Sequence, residues 1–296
     1  MSWLWVVFTL LAAAGQTVRN AMQRELTATL GTVGATHVRF LFGFPFAIVF
    51  LVIVMFASSE ALPQPGPIFW PWVLLGAFAQ ILATALMLAA MNDRSFVVTI
   101  AYIKTEAVQA AVFGLIFLGD AVTLPMVVAI VIATVGVVLM SFKGGAPLQG
   151  GLRPTLLGLT AGAMFALSAT GYRGAILSLG HPNFVVAATF TVTVGLVLQA
   201  ALLTLYLALR QRDVFIAIAR SWRPSLFAGF MGATASEFWF LAFALASVAN
   251  VRTLALVEVL FAQGISFFIF KQKTSKREEF GMALIVVGVA LLIWAQ

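Results

Sequence analysis

The sequence has no cysteine and only two histidines, His37 and His181. The absence of cysteine excludes disulfides and thiolate metal sites, and two histidines are too few for a histidine metal cluster. No GxxxxGK[ST] phosphate-binding loop occurs, which excludes an ATP-driven pump within this chain. We therefore expect a protein that works without a metal ion or another cofactor.

Charged residues are also scarce. They make up 9% of the chain, against 62% hydrophobic residues and a mean hydropathy of +1.07. A soluble domain averages about 25% charged and about 45–50% apolar residues. The first basic residue, Arg19, follows the first apolar run, so this run lacks the basic region of a signal peptide and is expected to stay as a membrane span. The composition predicts an integral membrane protein.

Ten apolar stretches are long enough to cross a bilayer as helices, since about 20 apolar residues span a hydrocarbon core of about 30 Å. Turn-forming residues separate most of them, as in Pro63–Pro67 and Gly144–Pro147. The sequence therefore predicts an all-α membrane protein with ten transmembrane helices. The predicted spans are 3–22, 34–57, 68–91, 95–118, 124–142, 154–178, 183–209, 222–246, 250–270 and 278–295.

The basic residues fall almost entirely on one side of this topology. Of the 17 Lys and Arg residues, only Arg173 and Arg252 belong to the side of the even-numbered loops. Cytoplasmic loops carry the excess of basic residues in membrane proteins, so we expect the odd-numbered loops in the cytoplasm and both termini in the periplasm. The net charge of +7 then reflects topology, and we expect no nucleic-acid partner.

Two acidic residues suggest an internal duplication. Glu106 and Glu258 each lie near the middle of an apolar stretch, 152 residues apart, and the same shift aligns 76–140 with 228–292, including two Val-Gly-Val triplets. Five spans in each half would invert the second half relative to the first, an arrangement that recurs in transporters. We therefore predict one five-helix repeat over 1–147 and an inverted one over 148–296.

Span 4 carries the first candidate site. Tyr102, Glu106 and Gln109 follow one another at helical spacing and form a polar stripe that we expect to line a cavity, because an ionisable residue at membrane depth is costly. The alternative is that Glu106 bonds a neighbouring helix only for packing. Lys104 is about 200° around the helix from Glu106, so its partner must come from elsewhere. If the span starts later, Lys104 is instead an interfacial lysine.

Span 8 carries the second candidate site. Glu237 lies beside Trp239 in sequence, and Phe240 and Phe243 complete an aromatic face on which a substrate ring could stack. The alternative is an aromatic packing stripe. Glu258 has apolar neighbours, and we expect it to act more as a helix-to-helix hydrogen-bonding partner than as a substrate ligand. Polar stripes on spans 3 and 6 add the candidates Gln80, Ser168 and Tyr172.

Candidate hinges lie in spans 2 and 7. Pro45 follows Gly43 by two residues midway along span 2 and is expected to bend it, and Gly195 occupies the repeat-related position of Gly43 in span 7. Matched bends would suit gating, although membrane helices also tolerate such residues without moving.

Three elements in each half resemble the drug/metabolite transporter superfamily, in its ten-span form with two EamA-type halves. The first half reads Thr105-Glu106-Ala107 to Leu118-Gly119-Asp120, the second reads Val257-Glu258-Val259 to Phe270-Lys271-Gln272, and a Val-Gly-Val triplet follows each. Neither glutamate is followed by the proline usual in the family. Within the superfamily the chain most resembles the bacterial aromatic amino acid exporters. The resemblance implies a multi-pass protein of the bacterial inner membrane that exports phenylalanine-like and other neutral amino acids.

The residues themselves suit such a substrate. Lys104 could bind a carboxylate, Glu106 or Glu258 an ammonium group, and the aromatic face of span 8 a side chain. We therefore expect a facilitative or proton-coupled exporter of amino acids, embedded in the lipid bilayer and able to work as a monomer. The alternative is a proton-coupled exporter of drugs or lipophilic cations. A membrane-embedded enzyme is disfavoured because no nucleophile, metal set or catalytic acid pair is evident.

Overall fold

The protein is α-helical throughout the part that a computed structural model describes, namely residues 3–93, 96–141, 152–260 and 275–294. Each of the ten predicted spans contains helix within these residues. The predicted boundary between the halves and the later part of the ninth span lie outside them. The helices are α1 Leu4–Leu41, α2 Phe44–Ser58, α3 Phe69–Asp93, α4 Phe96–Ile103, α5 Glu106–Phe113, α6 Leu124–Ser141, α7 Leu152–Ser178, α8 Phe184–Arg210, α9 Asp213–Arg220, α10 Trp222–Leu245, α11 Val248–Leu254 and α12 Lys276–Trp294.

The first two predicted spans are joined by helix and not by a loop. Helix α1 is helical across the predicted gap at 23–33 except at Gly31, whose φ of 67° and ψ of 174° produce a kink. This conformation is open to glycine because it has no Cβ. The predicted boundaries of spans 1 and 2 are therefore wrong, since the apolar runs alone do not reveal that polar residues such as Arg24 continue the helix.

The fourth span is broken at the position of its charged residues. Helix α4 ends at Ile103, Lys104 and Thr105 form a turn, and α5 starts at Glu106. The ninth span changes at the repeat-related position, where α11 is followed by a 3-10 turn at Ala255–Val257, directly before Glu258. The prediction of one continuous helix over 95–118 is therefore wrong. Interrupted helices of this kind place backbone ends and charged side chains at binding sites in transporters.

The helices of the two halves pack against one another in reciprocal pairs. Helix α3 packs on α7 and α1 on α10, while α2 packs on α8 and α6 on α12. At the last interface a Cβ built on Gly136 would lie 2.6 Å from the carbonyl oxygen of Gly281, and one on Gly288 would lie 2.8 Å from that of Ala129. Shifting each residue of one contact by 152 positions produces the other contact. Reciprocity of this kind is the property of two equivalent units that face each other.

Several helices are long and apolar enough to cross a membrane. By length and composition the described residues contain five such stretches, and two shorter apolar helices cover Glu106–Leu118 and Leu124–Met140. The five stretches are Leu4–Ser58, Phe69–Asp93, Arg153–Ser178, Phe184–Arg210 and Trp222–Leu245. The first contains both of the first two predicted spans. The full ten-span, inverted arrangement stays a prediction.

Candidate substrate site between the halves

Lys104 and Glu258 form a buried ion pair that joins the two halves. The Lys104 Nζ donates to Glu258 Oε2 over 2.6 Å, and both side chains are almost fully buried. The turn between α4 and α5 directs Lys104 inward, so the interfacial reading of this lysine is wrong. The expectation that Lys104 finds a partner away from Glu106 is confirmed, as is the expectation that Glu258 bonds another helix.

Glu106 belongs to a second ion pair, in which the first half supplies the acid and the second half supplies the base. Its Oε1 lies 3.6 Å from Nη1 of Arg252, so the glutamate of the first half faces a cation of the second half. As the first residue of α5, Glu106 also benefits from the positive end of the helix dipole. The two ion pairs together place four buried charges of alternating sign where the broken helices meet.

An aromatic wall adjoins these charges. The Arg252 guanidinium carbon lies 4.5 Å from the ring centroid of Trp239 and 5.3 Å from that of Phe243, within cation–π distance. Trp239 donates through Nε1 to Gln16 Oε1 over 3.1 Å. Phe240 packs on Tyr172 with ring centroids 4.5 Å apart. The predicted aromatic face of span 8 is therefore turned toward helices of both halves.

Polar side chains on α3, α7 and α8 complete the wall. The Tyr172 hydroxyl donates to Gln80 Oε1 over 3.3 Å, and Gln199 Nε2 donates to the same oxygen over 2.8 Å. Ser168 donates to the carbonyl oxygen of Gly76 over 2.9 Å, which ties α7 to α3. Gln80, Ser168 and Tyr172 thus lie together beside Trp239, as one expects of a shared site.

The space among these groups is closed. The cavity beside the ion pairs and the cavity beside the aromatic wall each measure about 10 Å³, close to the least that a water molecule needs. Gln16, Phe165 and Arg252 line both cavities. In this conformation the centre therefore has no room for a metabolite, and binding requires helices to separate.

A much larger vestibule lies toward the end of the molecule that carries the chain termini. It encloses about 730 Å³ between the start of α1, the end of α12 and the segments before α6 and α11. Asn250 lines this vestibule, and Arg252, two residues further along α11, lines the central cavity. The vestibule therefore leads toward the charged centre from one side.

Arg173 closes part of the vestibule wall. Its Nη1 donates to the carbonyl oxygens of Phe243 and Ala246, each over 2.6 Å, and its Nη2 lies 3.4 Å from Asp120 Oδ1. The two carbonyls belong to the last turn of α10, where a helix leaves such groups without intrahelical partners. Arg173 thus links α7 to the end of α10 and to the segment before α6.

Two predicted members of the stripe on span 4 lie elsewhere. A Cβ built on Gly158 of α7 would lie 2.6 Å from Cβ of Tyr102, and one on Gly162 would lie 3.4 Å from Gln109 Oε1. Tyr102 and Gln109 therefore pack against the small residues of α7 and line neither central cavity. The prediction that they share a cavity with Glu106 is wrong: the break in the helix separates Tyr102 of α4 from Glu106, and Gln109, although on the same helix as Glu106, is packed against Gly162 of α7. The GxxxG pair lets α7 approach this break closely.

Glu237 is also turned away from the aromatic wall. Its carboxylate accepts a short hydrogen bond from the Thr189 hydroxyl of α8, and its other oxygen, Oε2, has no partner among the described residues. The prediction that Glu237 acts beside Trp239 is wrong, since the two side chains leave α10 in different directions. Glu237 lines neither central cavity.

The candidate hinges differ from each other. The chain bends at Gly43, which separates α1 from α2, and Pro45 occupies the first turn of α2, where its missing N–H costs nothing. Gly43 lies against Gly229 of α10. Gly195, by contrast, sits inside the continuous helix α8 and makes room for the ring of Tyr172. The helix of span 2 is interrupted at Phe42 and Gly43, before Pro45 and not by it, whereas the matched bend predicted in span 7 is wrong.

Sequence reasoning did not place Arg39 and Arg252 at the centre, and it considered Arg19 only as a basic residue of a loop and as a member of a polar stripe on span 1. Arg252 was assigned to a loop because it lies near the start of its span, yet it is only 5% exposed. Arg19 and Arg39 are both 1% exposed. The position of Arg39 five residues inside a predicted span was the signal that could have revealed it.

Comparison with known proteins agrees with this architecture. Residues 3–142, just under half of the chain, match the model of the EamA-like transporter family. None of the curated proteins matches the chain significantly. A crystal structure of a protein superposes with a TM-score of 0.71 at 14% sequence identity, covering 98% of this chain and 95% of its own, and so shares the fold. The match over residues 3–142 is consistent with the drug/metabolite transporter superfamily, and the chain is a multi-pass membrane protein.

Proposed function

We propose that the protein is a secondary transporter that exports small neutral amino acids, aromatic ones among them, through the centre between two inverted repeats. The observation that carries the proposal is the joining of paired charges and an aromatic wall at one buried point, with Arg252 in contact with both Glu106 and Trp239. An amino acid presents two opposite charges and a side chain, and each finds a complementary group there. The match of residues 3–142 to a transporter family favours this reading over an enzyme.

Alternating access is the mechanism that we propose. The breaks before Glu106 and Glu258 occupy repeat-related positions, and the reciprocal glycine contacts between α6 and α12 support an inverted duplication. Two equivalent halves can exchange conformations and so open one site to either side. The large vestibule above a closed centre fits one stage of such a cycle. We further propose that the vestibule faces the periplasm, as the distribution of basic residues predicts.

Export of lipophilic cations is the competing proposal. Glu237 supports it, because this buried carboxylate has no cation as a partner in the described part of the chain and could exchange a proton. The centre opposes it, because its four buried cations, Arg19, Arg39, Lys104 and Arg252, outnumber the carboxylates Glu106 and Glu258, so a cationic drug without an anionic group would meet a net positive charge. We therefore favour amino acids.

Uptake by proteoliposomes tests the proposal. Purified protein would be reconstituted, and entry of radiolabelled phenylalanine and threonine would be followed with and without a pH gradient. We expect protein-dependent flux of both, and a Trp239→Ala variant should lose phenylalanine flux more than threonine flux because it removes part of the aromatic wall. Trp222→Ala, which removes an exposed tryptophan from the same helix, is the matched control. Flux of ethidium without flux of either amino acid would favour the competing proposal.

A further inference from the structure

Two buried arginines of α1 lack an acidic partner. Arg19 donates through Nε and Nη2 to the side-chain oxygen of Asn20, and Arg39 donates through Nη1 to the Thr84 hydroxyl. Neither Asn20 nor Thr84 carries charge. No described ion pair includes either arginine. Neither guanidinium group is therefore in an ion pair with a carboxylate in the interior.

The sequence offers no other carboxylate side chain that could neutralise them. All ten acidic residues lie in the described part of the chain. Glu106 and Glu258 face Arg252 and Lys104, and Glu237 accepts from Thr189. The remaining acidic residues lie in connecting segments, near helix ends or at exposed positions. The centre thus holds four cations, Arg19, Arg39, Lys104 and Arg252, against two carboxylates.

The unpaired arginines converge on one point. A Cβ built on Gly232 of α10 would lie 3.2 Å from Cγ of Arg39 and 3.4 Å from Cδ of Arg19, so both stems flank this glycine. Nη1 of Arg19 and Nε of Arg39 are buried and have no hydrogen-bond partner among the described residues. Arg19 also lines the central cavity. Two like charges this close repel each other, and a buried donor without an acceptor is costly.

We propose that Arg19 and Arg39 bind the anionic group of the transported molecule, which is the carboxylate if the substrate is an amino acid. This inference rests on the proposed function for the identity of the substrate but not for the anion site itself. A guanidinium group presents its N–H donors in a planar fork that matches the oxygens of a carboxylate or a phosphate. The anion would neutralise the excess charge and accept from the two free donors. The aromatic wall then receives the side chain of the same molecule.

The test uses ligands that separate the two charges of an amino acid. Counterflow of radiolabelled phenylalanine would be measured in proteoliposomes against two competitors, 3-phenylpropionate, which has only the carboxylate, and 2-phenylethylamine, which has only the ammonium group. Charge-assisted hydrogen bonds predict that the wild-type protein prefers the carboxylate competitor by about tenfold or more. Arg19→Gln and Arg39→Gln should each reduce that preference by about tenfold. Arg210→Gln removes an exposed arginine and should leave the preference unchanged.

A second measurement makes the site testable without amino acid transport. The thermal unfolding temperature of the purified protein would be recorded with 3-phenylpropionate, with inorganic phosphate and with sodium chloride. A rise with the carboxylate or with phosphate in the wild type, lost in Arg19→Gln and Arg39→Gln, supports the anion site even if no amino acid is transported. The relative sizes of the two rises tell which oxyanion the site prefers. A rise with chloride alone would overturn the proposal, because it would indicate a structural ion.

Other outcomes separate the inference from the proposed function. Phenylalanine transport with equal inhibition by both competitors would overturn the inference and leave the function standing, as would unchanged carboxylate preference in both glutamine variants. If the glutamine variants fail to fold, Arg19→Lys and Arg39→Lys carry the test. Lysine retains the positive charge but lacks the planar pair of N–H donors of a guanidinium group, so we expect folded proteins with a weaker preference for the carboxylate. Full preference in both lysine variants would show that the arginine geometry is not used.

Discussion

Lys104 of the first half donates to Glu258 of the second half over 2.6 Å, at the level where both broken helices meet. The second ion pair runs the other way, from Arg252 of the second half to Glu106 of the first half. Each half thus supplies one acid and one base to the other. Any motion that separates the halves at this level must break or exchange both pairs, which makes them candidates for the part of the molecule that changes during transport.

The charges around Glu258 predict unequal effects of removing the two partners. Glu258→Gln would leave Lys104 unpaired and would also remove the negative charge that lies within electrostatic range of Arg19. Lys104→Met would leave Glu258 near Arg19, which partly replaces the lost cation. Breaking a buried pair costs about 3–5 kcal/mol, so we expect Glu258→Gln near or above this range and Lys104→Met below it. Thermal unfolding in detergent measures the difference.

The double variant supplies the control for this pair. Lys104→Met combined with Glu258→Gln removes both charges and should cost less than the sum of the single losses, because neither charge is then left buried without its partner. Strict additivity of the two single losses would contradict a direct interaction between Lys104 and Glu258. Transport by the double variant should be low even where stability is kept.

The reciprocal glycine contacts predict similar losses of stability when Gly136 or Gly288 is replaced by alanine. Gly136→Ala would direct a methyl group at the backbone of Gly281, and Gly288→Ala would direct one at the backbone of Ala129. Backbone atoms cannot rotate away, so overpacking should destabilise each variant by about 1–3 kcal/mol and by similar amounts. Gly66→Ala is the control, since its added Cβ meets no atom within 4 Å. A large loss at one glycine and none at the other would argue against equivalent halves.

The sequence predicted the helices better than it predicted the shape of the site. Apolar length identifies membrane helices because every backbone group must be bonded within the segment, and the shift that relates Glu106 to Glu258 also relates the glycine contacts between α6 and α12. The helical spacing of Tyr102, Glu106 and Gln109 misled, because the break separates Tyr102 from Glu106 and because spacing alone does not show that α7 covers Gln109. Neither Lys104 nor Thr105 is a residue type that predicts the turn between α4 and α5.

The pairing of charges was equally beyond the sequence. Long-range partners depend on how helices from the two halves meet, and nothing local to Glu106 indicates Arg252. The sequence does predict that Lys104 and Glu106 each need a separate partner. The two side chains point to different sides of their segment, and each lies too deep in the membrane to remain unpaired. Arg19 and Arg39 also need partners, and in the structure neither forms an ion pair with a side-chain carboxylate.

The absence of cysteine makes solvent access directly measurable. Asn250→Cys places one thiol in the vestibule, and Ser236→Cys places one in the closed centre, where Ser236 is 2% exposed. A membrane-impermeant maleimide should label Ser236→Cys about tenfold or more slowly than Asn250→Cys, because the centre must first open. The native chain adds no background, as it has no thiol of its own.

The same reagent tests orientation. Ser275→Cys lies before α12, in the segment predicted to face the cytoplasm, and its side chain is exposed. In intact cells we expect labelling of Asn250→Cys and protection of Ser275→Cys, with the reverse order of access in inverted vesicles. Protection of Asn250→Cys in cells combined with labelling of Ser275→Cys would show that the predicted orientation is wrong.

Variants of Arg173 test whether its hydrogen bonds to the end of α10 control access from the vestibule to the centre. Arg173→Gln removes the donor to the carbonyl oxygens of Phe243 and Ala246 and should cost about 1.5–3 kcal/mol, as expected for hydrogen bonds to a charged group. Arg173→Lys should cost less, because an ammonium group still reaches one carbonyl. Asp120→Asn should cost least, about 0–1 kcal/mol, since this pair is partly exposed and its atoms are 3.4 Å apart.

Labelling of Ser236→Cys should accelerate in the same order as the loss of stability, because a looser end of α10 opens the centre more often. If Arg173→Gln lowers stability and leaves the labelling rate unchanged, Arg173 stabilises the fold without controlling access to the site.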